Sequence, residues 1–140
     1  MIVDVHTHVP THVSEVPAGE EIENTKMRAD RPIRITTTHS DFFKAMAPVD
    51  RVISFGIAMP PDRPAVIGER DAKKANDATA RLVAQAPEKV IGFMTVWPGA
   101  PDALDEMERA YHDLGLRGLK LGPNYQNFVP LGESALRVYA

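Results

Sequence analysis

The chain has 140 residues, 44% of them hydrophobic and 25% charged, which is the composition of one globular domain. Sixteen Lys and Arg against 19 Asp and Glu give a formal net charge of -3, so neither nucleic acid nor an anionic membrane surface is expected as a partner. The absence of cysteine excludes a disulfide framework and a thiolate metal site, and no apolar run reaches the roughly 20 residues of a membrane span; a cytoplasmic protein is expected.

The opening run Met1-Ile2-Val3-Asp4-Val5-His6-Thr7-His8 is apolar and ends in two histidines spaced by one residue. No basic segment precedes an apolar core there, so no signal peptide is expected. As a strand, alternation would put Asp4, His6 and His8 on one face and Val3 and Val5 on the other. Two imidazoles side by side can take adjacent positions on one divalent metal, zinc being the commonest partner. A pair of satisfied polar histidines at a strand end is the alternative, and the carboxylate in register with them favours the metal.

From Val9 to about Thr38 the chain carries Pro10, Pro17, Gly19 and Pro32 around a charged centre, which predicts a long loop over residues 9–38, with a short strand at Ile33–Thr36. His12 within it is expected to be solvated. Ser40 is expected to open a short helix carrying Phe42, Phe43, Ala45 and Met46, stopped by Pro48. His39 beside that cap is expected at the surface. The run Arg51–Met59 reads as a strand apolar on both faces, as buried parallel strands are. A helix over Glu69–Ala86 follows, with Ala72, Ala75, Thr79, Leu82, Val83 and Ala86 as its packed stripe.

Val90–Trp97 is expected as the third strand, closed by Pro98-Gly99. Pro101 and Asp102 then start a helix with Asp105 and Glu106 near its positive end, Leu104, Met107, Tyr111 and Leu114 as its core face, His112 exposed and Gly115 as its stop. Leu116–Leu121 reads as the fourth strand, Gly122–Phe128 as a loop, and a last helix begins near Gly132 and reaches Ala140 without a cap, which suggests a truncated chain. Strands alternating with helices in this way predict an α/β fold of parallel (βα) units.

Two stretches carry a family resemblance. "IVDVHTH" resembles the first-strand signature of the amidohydrolase superfamily, metal-dependent hydrolases and decarboxylases built on a (β/α)8 barrel. "APEKVIGFMTVWPGAPDALDEMERAYHDLGLRGLKLGPNY" resembles the third strand, third helix and fourth strand of its amidohydrolase-related branch, which includes the aminocarboxymuconate-semialdehyde decarboxylase-like proteins.

The resemblance implies the first half of a TIM (β/α)8 barrel, since a complete one takes about 250 residues. Residues 1–140 would form a single partial barrel domain, with the 9–38 loop over the active-site face. His6 and His8 would bind a divalent metal, zinc first. Asp4, deeper on the strand, would orient an imidazole or pair with a cation, or be a hydrogen-bonded polar group of the barrel interior. Lys120, sharing an inward face with Gly118, would pair with Asp4 or a substrate carboxylate, or, carboxylated, bridge two metals. The family's later metal-binding histidine and catalytic aspartate have no counterpart here.

The implied function is the amino-terminal half of a metal-dependent hydrolase acting on a small carbonyl or carboxylate-bearing substrate, inactive by itself. Two alternatives stand beside it: a decarboxylase of the same superfamily, and a non-catalytic half-barrel that assembles as a homo-oligomer or with a missing carboxyl-terminal half.

Overall fold

The computed structural model describes residues 1–9, 38–62 and 69–140. The expected 9–38 loop, its short strand and His12 therefore lie, apart from Val9 and Thr38, outside the described residues. The chain divides into two compact units, Met1–Val9 with Val49–Ala140, and Pro10–Pro48. In the smaller unit the described element is α1 (His39–Ala45), capped by the Thr38 hydroxyl, which accepts from the Asp41 N–H at 3.1 Å. Thr38 thus takes the capping position expected of Ser40.

In the larger unit four strands form one parallel sheet in the order β1 (Val3–His8), β2 (Arg51–Phe55), β3 (Val90–Thr95) and β4 (Leu119–Lys120). Helix α2 (Ala72–Gln85) connects β2 to β3 and α3 (Ala103–His112) connects β3 to β4, followed by α4 (Pro123–Gln126) and α5 (Glu133–Tyr139). Strands laid down in sequence order with helices between them are the product of repeated right-handed βα crossovers. Among the described residues their sheet stays open, with β1 and β4 at its two edges, and the unit is half of a barrel.

The strands are shorter than their apolar runs. β2 stops at Phe55; Ala58 beyond it forms an isolated parallel bridge with Glu69, so Glu69 stays outside the helix that was expected to include it. Helix α2 begins after Asp71, whose carboxylate accepts the Lys73 N–H at 2.9 Å. At the end of β3 the Asn76 side chain binds the backbone of Thr95 on both sides, accepting its N–H and donating to its carbonyl. A side chain there replaces the next strand rung. The Gly122–Phe128 stretch, expected as a loop, contains α4.

Core packing follows α2 closely. Gly92 of β3 faces that helix, and a Cβ there would stand 2.6 to 3.2 Å from Leu116, Val83 and Thr79. Buried Ala75, Thr79 and Leu82 of α2 confirm the expected stripe, to which the structure adds Asn76. Helix α3 corrects its expectation. Leu104 and Tyr111 are 41% and 50% exposed, and Ala103, Glu106 and Ala110 are buried in their place. The small alanines let the helix approach the sheet, and Glu106 is paired with Arg109 of its own helix and hydrogen-bonded by Asn76 of α2. Met107 and Leu114 do pack against the core. Gly115, at a φ of 67°, ends the helix in the left-handed conformation that glycine adopts without strain. No helix among the described residues is long and apolar enough to cross a membrane.

Candidate metal centre

Strand β1 is not a regular ribbon. Asp4 stands beside Val52, Thr7 beside Ser54 and His8 beside Phe55, so β1 uses one residue more than β2 between the first two pairs. This bulge breaks the alternation. Asp4 takes the face of Val52 and Ser54, while His8 takes that of Phe55, and the shared face expected for Asp4, His6 and His8 is reduced to the two histidines. The Asp4 carboxylate accepts the His6 backbone N–H at 3.0 Å, inside the bulge. It forms no ion pair with Lys120, because it points to the other face and β2 and β3 lie between their strands.

Gly92 faces α2, so its neighbour Phe93 faces away from that helix, together with its register partner Phe55 and with His8 beside Phe55. Lys120, beside Thr95, belongs to the same face. Gly118 shares it as expected: a Cβ there would stand 2.5 Å from the Phe93 ring, so the missing side chain leaves room for that ring. In a closed barrel this is the interior face.

Four side chains meet at the carboxyl ends of these strands. The imidazoles of His6 and His8 have centroids 5.2 Å apart, at an interplanar angle of 69°. Phe55 lies 5.1 Å from the first and 5.0 Å from the second, edge to face with both. The Lys120 ammonium sits over the Phe55 ring, 5.1 Å from its centroid. Burial among these neighbours, then the nearby His6 and Lys120, lowers the pKa of His8, against a hydrogen bond with the Phe55 backbone that raises it. The neutral imidazole is favoured, and that is the form a metal takes.

The spacing suits a shared metal. Two imidazoles bound through nitrogen at about 2.0–2.1 Å to one tetrahedral ion have ring centroids roughly 5 Å apart. Among the described residues no group of three or more His, Asp or Glu side chains could hold a metal ion.

Phe55 was absent from the sequence-based site. An aromatic at the end of an apolar strand carries no signal of its own, and only the register that sets it beside His8 reveals it. Above β3 a second polar set, Asn76, Glu106, Arg109 and Gln126, was equally unforeseen.

An amidohydrolase family model matches residues 3–140. The chain belongs to the amidohydrolase family. Similar solved structures include a 4-oxalomesaconate hydratase from Rhodopseudomonas palustris, at a TM-score of 0.62 and 15% identity, over 99% of this chain and 48% of that one. A probable 2-pyrone-4,6-dicarboxylic acid hydrolase from Acinetobacter baumannii, with citric acid bound, gives a TM-score of 0.54 at 14% identity, over 97% of this chain and 43% of that one. A 2,6-dihydroxybenzoate decarboxylase from Rhizobium gives 0.53 at 18% identity, over 99% and 45%. At these identities the likeness is one of fold. This amidohydrolase chain spans less than half the length of each of the three. No curated protein sequence matches it.

Proposed function

We propose that this chain is the amino-terminal half of a metal-dependent amidohydrolase acting on a small carboxylate-bearing substrate. The observation that carries the proposal is the pair His6 and His8, with imidazole centroids 5.2 Å apart at the mouth of a parallel half-barrel. When bound, a divalent ion, zinc first, supplies a water of lowered pKa and polarises a carbonyl.

The chain's own residues have distinct tasks in this proposal. His6 and His8 hold the ion. Asp4, by accepting the His6 N–H, maintains the bulge that keeps both imidazoles on one face. Lys120 offers its ammonium to a substrate carboxylate; a bridging carbamate would need a second metal and further ligands. Names of the similar structures support the substrate class, since oxalomesaconate, a pyrone dicarboxylic acid and dihydroxybenzoate all carry carboxylates. Hydrolysis is the first reading. Decarboxylation is the second, favoured by the dihydroxybenzoate decarboxylases of the same fold.

A complementary half completes the site. Among the described residues β1 and β4 are open edges, and Val129, Leu131, Leu136 and Tyr139 are exposed hydrophobic residues following β4, which suits burial against further barrel elements. The test supplies the chain with a complementary half from a related full-length amidohydrolase and measures metal content. About one equivalent, lost on His6→Ala or His8→Ala, is expected. Metal that survives both substitutions would place the site elsewhere. Release of carbon dioxide from a carboxylated substrate, against cleavage of an ester, lactone or amide bond by water, separates the two reactions.

A further inference from the structure

One buried side chain lies against His6, His8 and Lys120 together. Phe55 is 3% exposed at the end of β2, with His6 and His8 from β1 against its ring and the Lys120 ammonium from β4 over it. Lys120 thus reaches past β3 to a ring two strands away. Taking His6 and His8 as metal ligands, as above, we propose that Phe55 is the positioning residue of the metal site, its ring setting the directions of both imidazoles and holding the Lys120 ammonium beside them.

Exposed imidazoles at an edge strand rotate about two side-chain torsions, and a metal binds only the combination in which both ring nitrogens converge. An aromatic ring restricts those torsions in a way an aliphatic group of similar volume does not, because its partners prefer edge-to-face arrangements. The interplanar angles of 67° and 84° are of that kind. A ring face is electron-rich and attracts an ammonium, so the same side chain keeps the cation close to the histidines without placing a carboxylate there. Burial makes the platform rigid. The neighbouring Phe93 ring is turned toward Gly118 of β4, and a Cβ at that position would collide with it.

The test titrates the full chain with zinc, and with cobalt as a visible probe of ligand geometry, in the parent and in Phe55→Leu, Phe55→Tyr, His6→Ala and His8→Ala, each checked for cooperative melting. A roughly tenfold loss of zinc affinity in Phe55→Leu is expected, the magnitude usual for groups that orient metal ligands, with a changed cobalt spectrum. Phe55→Tyr, which keeps the ring, should recover the affinity and the spectrum. Parent-like binding by Phe55→Leu, with binding abolished in the histidine variants, overturns the positioning role and leaves the metal proposal standing. Equal weakening by Leu and Tyr also overturns it. Parent-like binding in both histidine variants removes the metal proposal and this one with it. If Phe55→Leu does not fold, nuclear Overhauser contacts in the parent decide: contacts from the Phe55 ring to both imidazoles and to Lys120, retained with one equivalent of zinc, support the role, and their absence overturns it.

Discussion

Two polar regions of the half-barrel are built on opposite principles. At the mouth of β1 and β2, His6, His8, Phe55 and Lys120 meet through ring contacts and a cation over an aromatic face. Behind β3 a second set is joined by direct hydrogen bonds. The Glu106 carboxylate, 2% exposed, accepts from Asn76 at 2.7 Å and from Arg109 at 2.7 and 2.9 Å, and Arg109 also donates to Asp77 at 2.9 Å. Asn76 in turn holds both backbone groups of Thr95. The Glu106 hydrogen bond leads the causes that raise the Arg109 pKa above its ordinary value, so this cation stays charged.

The difference lies in whether the polar groups satisfy one another. In the Glu106 set the polar groups satisfy one another inside the fold, as buried polar groups must, and the product is a fixed end for β3. In the mouth, two imidazoles and an ammonium lie on the sheet face opposite the helices. Polarity that the chain does not satisfy internally is polarity a ligand can use.

Four substitutions would break or sharpen this contrast, beginning with the largest effect on stability. Asn76→Ala leaves both backbone groups of buried Thr95 without their side-chain partner and removes one of the two hydrogen bonds to a Glu106 oxygen, the other coming from Arg109, and should destabilise the chain by about 3 kcal/mol in urea denaturation. A loss below about 0.5 kcal/mol, the range of ordinary surface changes, would mean the set is not structural.

Gln126 is the next in size. It is fully buried and donates to the carbonyls of Ala58 and Val96 while accepting the Gly122 N–H, tying α4 to the ends of β2 and β3. Gln126→Leu should lower stability by about 2 kcal/mol and detach α4, which amide exchange in 124–126 would register. Unchanged protection there would contradict the assignment.

Tyr125 gives a pH dependence. Its ring packs directly on the backbone of Gly122, where a Cβ would stand 1.8 Å from a ring atom, and burial raises its pKa above the ordinary 10. The unfolded phenol ionises first as pH rises. The contribution of the neutral phenol is therefore full below about pH 10 and is lost as pH climbs through the higher folded value. Melting temperature should fall in that alkaline window, and Tyr125→Phe should flatten the fall; an unchanged profile would show that another group controls it.

The smallest effect on stability belongs to the mouth. Lys120→Ala should change folding stability by no more than about 0.5 kcal/mol, the range of surface substitutions, and leave metal binding intact in the completed barrel while weakening turnover of a carboxylate-bearing substrate. Loss of metal along with turnover would favour the bridging carbamate. A stability loss as large as that of Asn76→Ala would erase the distinction between the two regions.

The amino-acid sequence by itself determined the alternation of strands and helices, the histidine pair at the end of the first strand, the shared face of Gly118 and Lys120, and through its motifs the family. These are properties of short periodic stretches, legible because alternation, helical spacing, proline and glycine act within a few residues of themselves. Tertiary structure decided what depends on register and on partners far along the chain. The bulge that turns Asp4 away from the histidines exists only in the pairing of β1 with β2. Phe55 joins the site because it stands beside His8, and Glu106 enters the core of α3, in place of Leu104 and Tyr111, because Asn76, 30 residues earlier, meets it there. A charged residue enters a core only when the fold brings it a partner, and no local pattern announces that meeting.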